Sequence, residues 1–300
     1  MFLLGFSFIL GHKKPVRVIL KRSIALFGLA YLLNLLKFVV PAIFGYLPED
    51  FYSFHGIPHN VFGLIDLFMV GDILQFAAIA YLVCGILNRL QWGWIIAGAG
   101  SVIILCLSPF IWGLRSDVLL YDYLSKFFNG YPPAVFFPFF PWGAYPVAGL
   151  FFGQLARKID EHDFYSLLLK LGCGLAIGGI IIQLFEPDYF NASFYRLGPG
   201  GTLMHLGIVL AWMWLCYIVA NSLVVERFIW LFQWYSIHIT KVYMVQWVLV
   251  CWFLHLFGFH AINLFQTILA VMIISLLTFL IVFVIGYIQK EKARLLKRGV

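Results

Sequence analysis

The stretch "GDILQFAAIAYL", Gly71 to Leu82, sets a carboxylate, Asp72, and an amide, Gln75, three residues apart in otherwise apolar surroundings. In a continuous helix this i, i+3 spacing puts both on one stripe. An ionised carboxylate at mid-span costs at least ~2.5 kcal/mol in lipid, so the stripe must face other helices or a wet cavity. Two readings stay open. One is the wall of a reaction site, with Asp72 as a catalytic carboxylate and Gln75 binding substrate; the other is a helix–helix hydrogen bond that fixes packing. In "FPFFPWGAYPVAGLFFG", Phe137 to Gly153, Pro138, Pro141 and Pro146 each remove a backbone donor. Such a break at membrane depth is tolerated only against protein or a cavity. Trp142 sits at the break, placed to stack on a substrate or to pack a kinked helix. In "YSIHITKVYMVQWVLVCWF", His238 and Lys241 share one face and Tyr243 and Gln246 another. Lys241 reaches the surface by snorkelling, whereas the deeper Gln246 is a candidate substrate-binding residue. His205 begins an apolar run and is either a catalytic base or a structural helix-end residue. His55 and His59 are four apart, but Gly56 and Pro58 argue against a helix there, and no metal site is expected.

These residues need elements to hold them, and the composition says which kind. The 300 residues are 63% hydrophobic and 11% charged, a balance that excludes a soluble domain and reads as a polytopic membrane protein. Eight apolar spans are expected, at 23–46, 62–87, 93–113, 135–155, 164–185, 201–223, 235–257 and 262–288. Residues 1–11, "MFLLGFSFILG", are too short to cross ~30 Å and read as the second half of a helix. The expected fold class is all-α, a single transmembrane domain over residues 1–300: a polytopic helical bundle of about eight full spans plus a truncated N-terminal half-helix. Fourteen Lys and Arg fall on one side of these spans, and three, Arg115, Lys126 and Arg196, on the other. The basic side is therefore expected to be cytoplasmic, with both chain ends there, in the cell (inner) membrane. That distribution also assigns the net charge of +7 to membrane topology, and no nucleic-acid partner is expected. Segment 226–234 is expected in the interface. The five cysteines lie in apolar segments and read as packing residues. The sequence carries no Walker loop, zinc-protease motif, nucleophile elbow or CxxC. The sequon Asn191–Ser193 falls on the outer side.

Taken in order, four stretches resemble a known family. "FLLGFSFIL" (2–10) with "LKRSIALFGLAYLLNLLKF" (20–38), then "GDILQFAAIAYLVCGIL", "FPFFPWGAYPVAGLFFG" and "YSIHITKVYMVQWVLV" resemble helices of the membrane acyltransferase superfamily. That group includes the acyltransferase-3 and heparan-alpha-glucosaminide N-acetyltransferase-like proteins. The resemblance implies transfer of an acyl group, usually acetyl, from cytoplasmic acyl-CoA to a hydroxyl or amine of an extracytoplasmic glycan or lipid-linked sugar. It implies acyl-CoA as donor substrate, with Lys21 and Arg22 meeting its phosphates, and no metal. It also implies a histidine on a helix preceding residue 1 or in the loop after it; none of the eight histidines here matches that position, so the family's first helix is expected to be absent. Membrane lipid and the glycan acceptor are the expected partners, with a homo-oligomer left open. The rival reading is a transporter or flippase-like protein, in which the same broken helix and carboxylate line a translocation path.

Overall fold

The computed structural model describes residues 1–116, 118–130, 135–185, 194–222 and 229–298. Among these residues the chain is helical, with one isolated bridge between Gly71 and Val135 and no sheet. In chain order the elements are α1 (Phe2–Leu10), α2 (Val16–Asn34), a π-helix (Leu35–Val39), α3 (Val40–Ile43), α4 (Glu49–His55) and α5 (Val61–Phe68). There follow α6 (Ile73–Leu87), α7 (Gly93–Ile111), α8 (Leu119–Asn129), α9 (Phe139–Trp142) and α10 (Ala144–Ala156). The chain continues with α11 (Glu161–Phe185), α12 (Pro199–Ala220), α13 (Ile229–Phe257) and α14 (Leu264–Arg298).

Among the described residues, six helical stretches are long and apolar enough to cross a membrane: Val16–Ile43, Gly93–Ile111, Glu161–Phe185, Pro199–Ala220, Ile229–Phe257 and Leu264–Glu291. The protein is an integral multi-pass membrane protein. Eight continuous spans are not found among these residues, because two of the expected stretches are interrupted. The first, 62–87, stops at Phe68 and restarts at Ile73. Asp72 is the N-cap of α6, with extended backbone (φ −122°, ψ −175°), and its carboxylate accepts the Ile73 N–H at 2.7 Å. The Asp72 N–H donates to Gln75 Oε1 at 3.0 Å, and Gln75 Nε2 donates to the Val70 carbonyl at 3.1 Å. This is a reciprocal capping box. It corrects the expectation that Asp72 lies within a continuous helix. An apolar stretch can be cut there because two side chains supply the hydrogen bonds that lipid cannot.

The second interrupted stretch is 135–155. Phe140 has non-helical backbone (φ −100°, ψ 113°), α9 is a single turn, and the regular helix begins at Ala144. Pro146 does not break α10: it is the third residue, where the missing N–H has no intrahelical acceptor to lose. The prolines thus shape the entry to the helix rather than its body. Of segment 226–234, the residues from Ile229 onward form the opening turns of α13. Residues 226–228 lie outside the described residues, as does the sequon Asn191–Ser193.

The chain divides into two compact units, Met1–Ala30 with Val70–Ser222, and Tyr31–Met69 with Leu223–Val300. In the first, α1 lies backbone-to-backbone on α10. A Cβ added at Gly5 would overlap the Pro146 oxygen, and one at Gly149 would overlap the Phe2 oxygen. Helices α11 and α12 approach as closely, since a Cβ at Gly179 would meet the Met204 nitrogen and one at Gly207 the Ala176 nitrogen. Lipid gives helices no hydrophobic drive to associate, so this close approach of backbones is what holds them. Phe2, Phe76, Leu150, Leu168 and Leu210 fill the core between them.

In the second unit α13 packs on α14 and on the π-helix. Helix α14 buries Ala270, Ile274, Thr278 and Val282, a stripe four residues apart, and turns Leu276, Leu280 and Phe283 outward. Apolar residues on the outside are the reverse of a soluble helix and fit lipid as the solvent. The π-helix gives up regular carbonyl pairing, and Trp252 Nε1 donates to the Leu36 oxygen at 2.8 Å. Lys37, on the same turn, is fully buried with its ammonium 4.5 Å from the Phe38 ring centroid and 5.3 Å from that of Trp247.

Candidate functional site

Helix α6 organises the first unit's polar chemistry at its N-terminal end and just past its middle. Toward its C-terminal half, α2 runs alongside: Ile19 packs into the space left by Gly85, and Ser23 Oγ donates to the Ala78 carbonyl at 3.0 Å. That contact brings Arg22 to Tyr81, where Nη1 donates to the phenol oxygen at 3.4 Å. Lys14 Nζ donates to the same oxygen at 3.3 Å and lies 5.5 Å from the Phe8 ring centroid. Arg89 Nη1 fixes the segment by donating to the Lys14 carbonyl at 2.8 Å. Lys14 and Arg22 therefore crowd one oxygen at a separation well inside the ~8 Å screening length. Neither they nor Arg89 pair with a carboxylate among the described residues. A cationic cluster without a counter-charge is a place for an anion, and guanidinium forks suit phosphate.

At the N-terminal end of α6, nine residues and about 14 Å along the axis from Tyr81, the capping box meets an aromatic group. Trp142 Nε1 donates to the Tyr195 carbonyl at 2.8 Å. The Trp142 ring packs against Phe137, Tyr145 and Phe194 at centroid distances of 5.0, 5.5 and 5.7 Å. Phe194 in turn lies 5.9 Å from the ring of His205, which is half-buried near the start of α12. Burial, and secondarily the negative charge of Asp72, push the Tyr195 phenol above its ordinary range, so it stays protonated and able to donate. Gly71 bridges to Val135, and the Phe136 N–H donates to the Gly71 oxygen at 2.9 Å. This strand-like pairing ties the α6 entry to the proline-rich segment.

Asp72 and Gln75 thus stand at the N-terminal end of α6, Trp142 and His205 are linked to them through Tyr195 and Phe194, and Arg22 meets the helix just past its middle, at Tyr81. Lys21 is exposed on α2 and takes no part in the Tyr81 cluster, since it lies on the next face round the helix. Gln246 belongs to the second unit and is exposed on α13. Trp142 is buried, with 8% of its surface exposed, and its ring is already packed on several sides. Lys14, Tyr81, Arg89, Phe194 and Tyr195 join the site without having been candidates from sequence. Arg89 lies in the turn just beyond α6, and neither its spacing from Tyr81 nor any pattern around Tyr195 signals these contacts in the sequence. Among the described residues no group of three or more His, Cys, Asp and Glu side chains is placed to hold a metal ion.

Residues 1–178 match the family model described as heparan-alpha-glucosaminide N-acetyltransferase, catalytic, a stretch that holds the whole Tyr81 cluster together with Asp72, Gln75 and Trp142. Neither a curated protein nor a solved structure matches the chain.

Proposed function

The chain belongs to the heparan-alpha-glucosaminide N-acetyltransferase family, and on that premise we propose that it moves an acetyl group from acetyl-CoA on the cytoplasmic side to an amine or hydroxyl of a glycan or lipid-linked sugar on the other. The observation that carries the reading is the convergence of Lys14 and Arg22 on the Tyr81 oxygen, with Arg89 bonded to the Lys14 backbone and no carboxylate paired to any of the three among the described residues. In this reading the cluster takes the donor's phosphates, and Lys21 adds to the field that draws them in. The thioester then extends along α6 toward Asp72.

Each residue at that end has an assigned task. His205 takes the proton from the acceptor nitrogen or oxygen as it attacks the thioester carbonyl. Tyr195, held protonated, donates to the oxygen that becomes negative in the tetrahedral state. The C–S bond then breaks, the thiolate leaves, and it collects a proton. Asp72 is anchored by the α6 N-terminus and orients Tyr195, while Gln75 fixes Asp72. Trp142 holds the Tyr195 backbone, and the exposed ring of Phe194 offers the acceptor sugar a face.

The test is transfer of labelled acetyl from acetyl-CoA to glucosamine by the full chain in liposomes. Transfer lost in His205→Gln and in Asp72→Asn, with normal expression and folding, supports the assignment. A wild-type chain that neither binds nor turns over acetyl-CoA, yet moves a glycan across the liposome, overturns it in favour of transport.

A further inference from the structure

The second unit contains a slot that the acyl-transfer reading does not use. It has a volume of about 420 Å³ and lies between α13 and α14, with Leu36 of the π-helix on its third side. Its walls are Val245 and Val248 from α13 and Ile281 and Ile285 from α14. The polar groups sit at one end only. Lys241 begins the α13 stripe and Gln289 ends the α14 stripe, so the antiparallel pair brings them together, and Lys241 Nζ donates to Gln289 Oε1 at 2.7 Å. From Lys241 to Leu249 the stripe is eight residues, or about 12 Å of apolar trough. The Leu36 wall is pinned by the Trp252 hydrogen bond to its carbonyl.

We propose that this slot binds one membrane phospholipid with an anionic headgroup, its acyl chain in the trough and its phosphate on Lys241. An ammonium has three donors, and Lys241 uses one of them on Gln289 with no carboxylate partner among the described residues. The Gln289 Nε2 group remains to donate to the same phosphate. Snorkelling accounts for where the lysine head lies, but not for a walled trough leading away from it. The sequence beyond Gln289 carries Lys290, Lys292, Arg294, Lys297 and Arg298 against a single acidic residue, Glu291, so this run of the chain is net positive. A zwitterionic headgroup would bring its own cation against this end, and a net negative one would not.

Native mass spectrometry of the full chain in detergent, titrated with palmitoyl-oleoyl phosphatidylglycerol or phosphatidylcholine, reads the first lipid bound. The expected result is a preference of about tenfold for the glycerol lipid, because the choline ammonium would face the Lys241 ammonium and the basic end of α14 while the phosphate contact is common to both lipids. Lys241→Gln should remove most of the preference, lowering glycerol-lipid binding more than choline-lipid binding, while Lys241→Arg should keep it. Val248→Trp, which fills the trough, should lower binding of both lipids. Equal binding of the two lipids by the wild type, an undiminished preference in Lys241→Gln, or displacement of the lipid by millimolar inorganic phosphate would each overturn the proposal. Acetyl transfer is not the readout, so the result stands or falls apart from the proposed activity.

Discussion

Replacing Gln75 by Leu separates a capping role from mere polarity in the apolar stretch. Gln75 has 1% of its surface exposed and makes both halves of its contribution through one side chain: it accepts from the Asp72 N–H and donates to the Val70 carbonyl. Leucine has similar volume, so packing changes little and the loss is the two hydrogen bonds. At ~1 kcal/mol each when the groups find other partners, and up to ~3 when a buried group is stranded, the cost is about 2–6 kcal/mol. Asp72→Asn is the companion variant. Asparagine caps as well as aspartate, so its effect on stability should be under ~0.5 kcal/mol. The assay is the unfolding midpoint of the full chain in mixed micelles with increasing dodecyl sulfate. Gln75→Leu should unfold well before the wild type and Asp72→Asn should nearly coincide with it. A wild-type midpoint for Gln75→Leu would refute the capping account of this pair.

Two further outcomes follow from the packing and from the pH response. Gly149→Val should fail to yield folded protein, because its side chain would overlap the Phe2 oxygen; a wild-type elution profile after detergent extraction would show that α1 does not lie on α10. His55 is held below its ordinary pKa by burial first and by the nearby His260 second, so the unfolded chain binds the extra proton more readily. Stability contributed by neutral His55 is complete above about pH 6.5 and is lost as pH falls from there toward the lower folded value. Thermal unfolding followed between about pH 7 and pH 5 should shift downward in the wild type and less in His55→Phe; equal shifts in the two would remove His55 from the pH response.

Much of the helical architecture is legible in hydropathy, because lipid forces backbone groups to pair within the segment and so makes length and apolarity sufficient. The six continuous spans are of this kind. The two interrupted stretches are not, since in each the interruption is made by side chains whose signal is local. Gly71-Asp72 with Gln75 three residues on is a helix-start pattern. Hydropathy hides it, because the apolar residues on both sides invite a helix drawn straight through. The proline cluster does announce a break, but Pro146 is harmless because of where it falls in α10. At the site, Arg22 is legible through resemblance and does meet Tyr81. Its companions Lys14 and Arg89 look in the sequence like topology signals alone, because their convergence depends on how α2 packs along α6. Tyr195 is brought to Trp142 across more than fifty residues of chain, a contact that no spacing announces.

Equilibrium binding of labelled acetyl-CoA to the full chain, measured against salt, tests the central claim most directly. The Tyr81 cluster as donor-phosphate site predicts that affinity falls with rising ionic strength. It also predicts that Arg22→Gln weakens binding by about tenfold, the scale of one charge-assisted hydrogen-bonded contact, and that combining it with Lys14→Gln and Arg89→Gln removes binding. Undiminished, salt-insensitive binding in the combined variant would contradict the account.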